Sequence, residues 1–321
     1  MKTTIRKATI VCVLAGVLVT DAAQAATIRY QGSGDYFDFL AAGNVGPNGW
    51  QNVAGVPGLP GAADTIRFNW GSNTVTLEGV APTVTRLQMG VDESGGLVVN
   101  SGGSITATGE SVIGNNAGGG GANPTTGFLT INSGGVMNNN GAHLRLGVGA
   151  STVLGNLKGI LTLNGGTLND AGHLWVGSGN LSIGTININT GGVLNVGGML
   201  GLGTGNATSA SGGFGFLNVN DGGLLNLANI HAAAQGSIQP GSLLDISGSG
   251  MATLPGNFTS VIDGYISAGR IVGNGVAGQA QAVFDVGQNK TFITAVPEPS
   301  TFALLACAGL GLALRRFGRK I

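Results

Sequence analysis

The sequence is poor in charged residues and in cysteine. Charged residues make up 9% of its 321 residues, against about 25% in ordinary soluble domains. The two cysteines, Cys12 and Cys307, lie in apolar segments close to the two ends of the chain. Because the body between them contains no cysteine, it has neither a disulfide framework nor a cysteine-based metal site.

The body also lacks an excess of positive charge. Residues 26–296 contain seven Lys or Arg residues against twelve Asp or Glu residues, a net charge of −5. Nucleic-acid binding requires a basic surface, so we predict no nucleic-acid partner. The remaining basic residues are concentrated at the two ends of the chain.

Glycine, by contrast, is abundant, and much of it belongs to an internal repeat. Glycine accounts for 62 residues, which disfavours helices because each glycine costs up to about 1 kcal/mol relative to alanine. Five segments share an alternating strand, an asparagine and a Gly-Gly pair, with the second glycines 32, 31, 26 and 31 residues apart. The segments are 97–103, 129–135, 161–166, 186–192 and 217–223. Such a period is typical of solenoids and other repeat arrays.

A repeat of about 30 residues with three short strands predicts an all-β, right-handed parallel β-helix. A second strand follows the Gly-Gly pair and ends in asparagine, as in Val136–Asn138, and in three of the repeats a third strand ends in glycine, as in Leu144–Gly147. Equivalent positions on successive coils stack about 4.8 Å apart. We therefore expect continuous apolar columns inside and two ladders of hydrogen-bonded asparagines at the surface. The ladders comprise Asn100, Asn132, Asn164, Asn189 and Asn220, and Asn138, Asn169, Asn195 and Asn226.

Composition divides the chain into five parts. We predict a signal peptide over 1–25, an N-terminal cap with the first coil over 26–95, β-helix repeats over 96–250, a C-terminal cap over 251–295 and a sorting segment over 296–321. The N-terminal cap is rich in aromatics, as expected of a bulky cover for an open solenoid end. The C-terminal cap contains apolar residues at helical spacing over 260–268 and a stop signal at Gly269.

The first 25 residues have the three parts of a secretory signal. Basic residues precede an apolar run from Ala8 to Val19, and the small residues Ala23 and Ala25 flank a cleavage site. We predict cleavage after Ala25 and export by the Sec machinery. An uncleaved membrane anchor is the alternative, although the run is short for a membrane span.

The last 26 residues form an ordered series of three elements. Pro297, Glu298 and Pro299 are followed by the apolar run Phe302–Leu314 and then by Arg315 and Arg316. The run of 13 residues is short of the roughly 20 that span a bilayer comfortably, so we predict a short transmembrane segment with its basic end in the cytoplasm. A plain tail anchor is the alternative.

This series resembles the PEP-CTERM sorting signal of Gram-negative bacteria. The resemblance implies recognition by exosortase, a membrane cysteine protease that processes the tail near Pro297, Glu298 and Pro299. It also implies export, often in connection with exopolysaccharide and biofilm formation, which makes exopolysaccharide a candidate partner. The repeats are similar to those of autotransporter passengers, but the chain departs from autotransporters in lacking a C-terminal membrane β-barrel.

One cluster of side chains is a candidate surface site. His143 and His173 occupy equivalent places on adjacent coils, and strand alternation points them outward together with Arg145 and Trp175. We expect the two histidines about 5 Å apart, as a metal or sugar site with Trp175 as a stacking platform. The alternative is an exposed residue copied by repeat duplication, and no carboxylate shares the column to support a metal.

The carboxylates do not form a catalytic arrangement in the sequence. Glycoside hydrolysis needs two carboxylates facing each other, whereas Asp170, Asp221 and Asp245 occupy different places in their repeats and read as solvated surface residues. We therefore predict no catalytic residues and no cofactor.

The sequence predicts a non-enzymatic, structural or adhesive protein, which is transiently in the inner membrane and then at the surface or secreted. The alternative is a polysaccharide-binding or polysaccharide-cleaving β-helix.

Overall fold

The computed structural model describes residues 27–30, 34–35, 50–52, 60–68, 73–116, 124–141, 143–149, 151–206, 209–210, 212–231 and 237–297. In these ranges the chain forms 27 strands, numbered β1–β27 in chain order, and one helix, α1. Most of the strands stack in parallel, in coil after coil, as a β-solenoid of about five turns. The predicted all-β parallel β-helix is confirmed, whereas the signal peptide and most of the sorting segment lie outside the described residues.

The solenoid has three faces, of which face 1 is a separate ten-stranded sheet. In spatial order, face 1 contains β2 (Gly34–Asp35), β5 (Asn73–Leu77), β7 (Gly95–Val99), β10 (Thr125–Asn132), β13 (Leu157–Asn164), β16 (Ile183–Ile188), β20 (Phe214–Val219), β22 (Leu243–Ile246), β24 (Ile271–Gly273) and β25 (Val276–Ala277). From β5 to β24 every pair is parallel, and Leu97, Leu129, Leu161, Ile186 and Leu217 share one register position.

Faces 2 and 3 belong to one fifteen-stranded sheet. Face 2 contains β8 (Ser104–Ala107), β11 (Val136–Asn139), β14 (Thr167–Asp170), the first part of β17 (Val193–Leu202), β21 (Leu224–Asn229) and β23 (Met251–Pro255). Face 3 contains β4 (Thr65–Phe68), β6 (Arg86–Val91), β9 (Ser111–Asn115), β12 (His143–Val148), β15 (His173–Val176) and the last part of β17. The register shift between Val196 and Met199 marks the corner where β17 passes from face 2 to face 3.

The remaining elements lie at the ends and at one corner. Strand β1 (Thr27–Tyr30) pairs in parallel with β4 and antiparallel with β3 (Trp50–Asn52), and β18 (Thr204–Asn206) forms a small hairpin with β19 (Ser209–Ala210). At the C-terminal end, α1 (Thr259–Ser267) is followed by the antiparallel strands β26 (Ala280–Asp285) and β27 (Lys290–Ala295), which extend face 2 beyond β23. The predicted helix in the C-terminal cap is thereby confirmed, and it ends before Gly269, whose φ is +67°.

Alternation along the strands places one set of apolar side chains inside the solenoid. Leu129 and Ile131 of β10, Met137 of β11 and Leu144 of β12 are fully buried, and the corresponding residues of the other coils join them in one core. The helix adds Ile262 and Tyr265 to the same core at the C-terminal end. Burial of this continuous column is the main favourable contribution to the fold.

Both asparagine ladders are present. In the first, Asn132, Asn164, Asn189 and Asn220 each donate from Nδ2 to Oδ1 of the preceding asparagine, over 2.6–3.3 Å. In the second, Asn169, Asn195 and Asn226 do the same over 2.7–2.9 Å. The ladders end on other polar groups, since Asn100 donates to Glu78 and Thr253 donates to Asn226. Each ladder therefore ties neighbouring coils together at the surface.

Candidate functional site

The two predicted histidines lie side by side on face 3. His143 begins β12 and His173 begins β15, and the two residues are paired in register on adjacent coils. Their ring centroids are 5.3 Å apart, and the ring planes differ by 23°. The expected separation of about one coil spacing is therefore confirmed.

His231, although it follows its Gly-Gly pair at a similar distance, does not extend this column. The next positions are occupied by Met199 and Asn229, which are paired in register. The Nε2 atom of His231 lies 3.2 Å from Nδ2 of Asn229, and its backbone carbonyl accepts a hydrogen bond from the Tyr265 hydroxyl. The corner after the second strand differs in length between coils, as the register shift between Val196 and Met199 shows, and this moves His231 out of the column.

Trp175 is not an exposed stacking platform, and that part of the predicted site is wrong. The indole is 3% exposed, with its centroid 5.5 Å from that of His173 and 6.2 Å from that of His143. On the next coil its register partner is Gly201, where a Cβ atom would lie 2.5 Å from the indole ring. The indole packs over the glycine, and because it is almost completely buried it cannot offer its face to a sugar.

The hydrogen bonding of His173 and the number of available ligands in this cluster do not favour a metal ion. The backbone N–H of Met199 donates to Nδ1 of His173 at 2.9 Å, so the proton of that ring lies on Nε2, which then donates rather than ligates. Burial and the neighbouring His173 lower the pKa of the His143 imidazole, whereas Glu110 raises it. Glu110 itself lies 3.6 Å from Arg145. Among the described residues, no three His, Cys, Asp or Glu side chains are grouped so as to hold a metal.

The three aspartates weighed for catalysis have different environments. Asp221 is exposed and accepts hydrogen bonds from Ser249, which lower the pKa of its carboxyl. Asp245 pairs in register with Asn218 and Val272. Asp170 is only 2% exposed, so the prediction of a solvated surface residue is wrong there. The strand of Asp170 continues one residue further than expected, and alternation then turns its side chain into the core.

The outer surface of face 1 is a candidate site that the sequence reasoning missed. Phe128, Ile160, Thr185, Phe216 and Leu243 form one half-buried column, and a second column beside it contains Thr130, Thr162, Asn187, Asn218 and Asp245. The first asparagine ladder forms the third column. A depression of about 380 Å³ lies at the end of the first column, between Phe216, Leu243 and Arg270.

The phenyl ring of Phe128 covers a glycine of the neighbouring coil on this surface. Its register partner on the preceding coil is Gly96, where a Cβ atom would lie 2.5 Å from the phenyl ring. Phe214 covers Gly241 in the same way, with a Cβ at Gly241 placed 2.5 Å from its ring. The sequence signal is a glycine one repeat away from an outward aromatic residue, a pairing known to protect glycines within sheets.

Most of the predicted sorting and cleavage residues lie outside the described part of the chain. Pro297 is described and exposed, two residues after the end of β27. Glu298, Pro299, Arg315 and Arg316 lie beyond the described residues, as do Ala23 and Ala25. Within the described ranges, no helix has both the length and the apolar character required to span a bilayer.

The comparisons with known proteins identify the C-terminal segment. Residues 295–320 match the family model of the PEP-CTERM protein-sorting motif, which confirms the resemblance stated from the sequence. The motif indicates an exported protein that passes through the membrane and is sorted by exosortase, a membrane protease. The searches of curated proteins and of solved structures returned no match.

Proposed function

We propose that this chain, which carries a PEP-CTERM sorting motif, is a structural or adhesive protein of the cell surface or extracellular matrix of a Gram-negative bacterium. Its C-terminal signal directs it to exosortase after Sec-dependent export, and the β-solenoid is the part that remains outside the membrane. The match over residues 295–320 is the observation that carries this proposal. The protein acts without catalysis, by the surface that the solenoid presents.

The solenoid suits a structural role because it is stiff and regular. Parallel hydrogen bonding runs without a register shift along face 1 from β5 to β22, and two asparagine ladders tie the coils at the surface. At about 4.8 Å per coil, the seven strands from β5 to β22 give a rod roughly 30 Å long. The low charge of the body limits repulsion between copies packed in a matrix.

The sorting proposal is tested by replacing Pro297, Glu298 and Pro299 together with alanine in the producing bacterium. Exosortase then no longer processes the tail, so we expect the variant to keep its full C-terminal mass and to stay in the membrane fraction. Intact-mass spectrometry and cell fractionation measure both properties.

A matched control changes exposed apolar residues far from the signal. Val153 and Leu154 are 53% and 54% exposed in a loop. We expect their replacement with alanine to leave the mass of the processed protein and its cell fraction as in the unmodified chain. If the variant without Pro297, Glu298 and Pro299 has the same processed mass and location as the parent, the sorting proposal fails.

A second candidate function is the binding of a neutral polysaccharide along face 1. The observation in its favour is the half-buried phenyl ring of Phe128, which covers Gly96 beside regular columns of Thr and Asn side chains. Aromatic rings flanked by uncharged hydrogen-bonding groups suit sugars, which have apolar faces and hydroxyl edges. The net charge of −5 over the body disfavours an acidic polysaccharide.

Affinity electrophoresis of the full chain in gels containing a neutral glucan tests this candidate. We expect Phe128→Ala to weaken retardation at least about 5-fold, and Thr162→Val to weaken it less, since it removes one hydroxyl at constant size. The double change Val153→Ala and Leu154→Ala serves as the control off this face. Equal retardation of the Phe128→Ala variant and the parent contradicts the site. In a separate assay with an acidic polysaccharide, the release of products would instead indicate a lyase.

A further inference from the structure

The interior of the solenoid contains one polar pair among apolar residues. Asn139 is the last residue of β11 and Asp170 the last of β14, and the two are paired in register on adjacent coils. The flanking positions of the same column are Ala107 and Val196. Asn139 is fully buried and Asp170 is 2% exposed.

If the Asp170 carboxyl is ionised, only half of the polar side-chain atoms of this pair have a hydrogen-bond partner. Nδ2 of Asn139 donates to Oδ1 of Asp170 at 2.7 Å, and the backbone N–H of Gly172 donates to the same oxygen at 3.3 Å. The other oxygen of each side chain, Oδ1 of Asn139 and Oδ2 of Asp170, is buried without a hydrogen-bond partner among the described residues. Two acceptors cannot satisfy each other, so a buried donor is missing from the arrangement.

We propose that a single proton on Oδ2 of Asp170 supplies this donor, so that the neutral acid and the amide form a closed pair with two hydrogen bonds. The proton comes from solvent and binds as the solenoid folds. Oδ2–H of Asp170 then donates to Oδ1 of Asn139, while Nδ2 of Asn139 continues to donate to Oδ1 of Asp170. One proton thereby satisfies both partnerless oxygens and removes a charge from the core.

The surroundings of the pair offer no counter-charge for an ionised carboxylate. The other residues of β8, β11, β14, β17 and β21 include no charged or titratable side chain. Across the interior, the face 1 strands from β5 to β20 include one charged residue, Lys158, which is exposed on the outer surface of β13, and Asp245 of β22 follows further along the outer surface of the same face. On face 3, alternation places His143, Arg145 and His173 on the side of the strands away from the core. Burial accordingly raises the pKa of the Asp170 carboxyl from 3.8 to about 7, although the hydrogen bonds from Asn139 and Gly172 lower it.

This proton makes the stability of the central coils depend on pH in a defined direction. Because the pKa of Asp170 is higher in the folded chain than in the unfolded chain, the folded state binds the proton more tightly. Its contribution to stability is complete below about pH 4 and is lost as the pH rises through about 7. Above pH 7, the ionisation of Asp170 raises the unfolding equilibrium constant of the chain up to about 1000-fold relative to its value below pH 4.

The substitution Asp170→Asn tests the inference, because an amide has the donor that the ionised acid lacks. The introduced NH₂ group donates to Oδ1 of Asn139 at every pH. We expect denaturant unfolding of the full chain to show the variant more stable than the parent at pH 8, by up to about 1000-fold in the equilibrium constant, with the difference disappearing towards pH 4. The matched control is Asp263→Asn on the exposed side of α1, which leaves the parent's pH dependence unchanged.

A direct measurement on the unmodified chain is independent of how the variant folds. The infrared carbonyl stretch of a protonated carboxyl group persists at pH 6 in the folded parent and is absent from the Asp170→Asn variant. The inference is overturned if that band is missing from the parent at pH 6. It is also overturned if parent stability rises with pH relative to the variant, or depends on added Ca²⁺ or on a chelator, since a bound cation would then occupy the site.

Discussion

At the scale of single residues, glycine closes one corner of the coils whose face 3 strand is described. From β6 to β17, each face 3 strand has a glycine with positive φ at or near its end, such as Gly147 at +63°. Gly147 packs against Gly159, which lies near the start of the face 1 strand β13. A Cβ atom at Gly159 would lie 2.5 Å from the backbone N of Gly147 and 2.1 Å from the carbonyl oxygen of Ile113. Backbone therefore contacts backbone where the chain passes from face 3 to face 1, which leaves no room for a side chain.

We predict that Gly159→Ala destabilises the solenoid by about 3 kcal/mol or more, since the atoms that the new methyl group meets are backbone atoms that cannot rotate away. The backbone at Gly159 is not in the left-handed region, so the effect is purely steric. Denaturant unfolding monitored by circular dichroism measures it. The control is Gly264→Ala in α1, where a Cβ meets nothing within 4 Å; this change stabilises the helix by up to about 1 kcal/mol. Similar stabilities for the two variants would contradict the close packing at the corner.

At the scale of elements, the repeat pattern was sufficient to predict the strands of the solenoid and which of their side chains face the core. Alternation identified the inward leucines of β10, β13 and β20, and repeat spacing aligned the asparagines that form both ladders. Register in a parallel stack follows from the requirement that each apolar set faces the same core. The helix of the C-terminal cap followed from its 3.6-residue period and from Gly269 behind it.

The features that could not be predicted depend on pairs of residues in neighbouring coils. Trp175 was expected at the surface by alternation alone, yet Gly201 on the next coil leaves space for its indole to fold down. Asp170 was expected in solvent because the end of its strand was placed one residue early. In both cases the deciding information is the residue one repeat away, so superimposing the repeats before assigning exposure would have found the covered indole of Trp175 and the ring of Phe128 over Gly96.

At the scale of the whole molecule, the solenoid is a one-dimensional stack. Each coil contacts mainly the coils before and after it, and the stability of such an array is close to the sum of repeat and nearest-neighbour contributions. Face 1 shows this regularity most clearly, since Leu97 and Leu129 occupy the same register position one coil apart. The two ends differ from the interior, because antiparallel strands and α1 close the C-terminal end.

We predict that removal of one whole repeat preserves the fold, whereas removal of half a repeat destroys it. Deleting residues 98–129 joins Leu97 directly to Thr130, so that every later strand moves down by one coil and meets an equivalent partner. The shortened chain is expected to keep its β-type circular dichroism and a single cooperative unfolding transition at a lower denaturant midpoint, because one interface is lost. Deleting residues 98–113 instead connects β7 to the end of β9 and removes face 2 from that coil, so we expect no cooperative transition. If both deletions unfold alike, the coils do not act as independent stacked units.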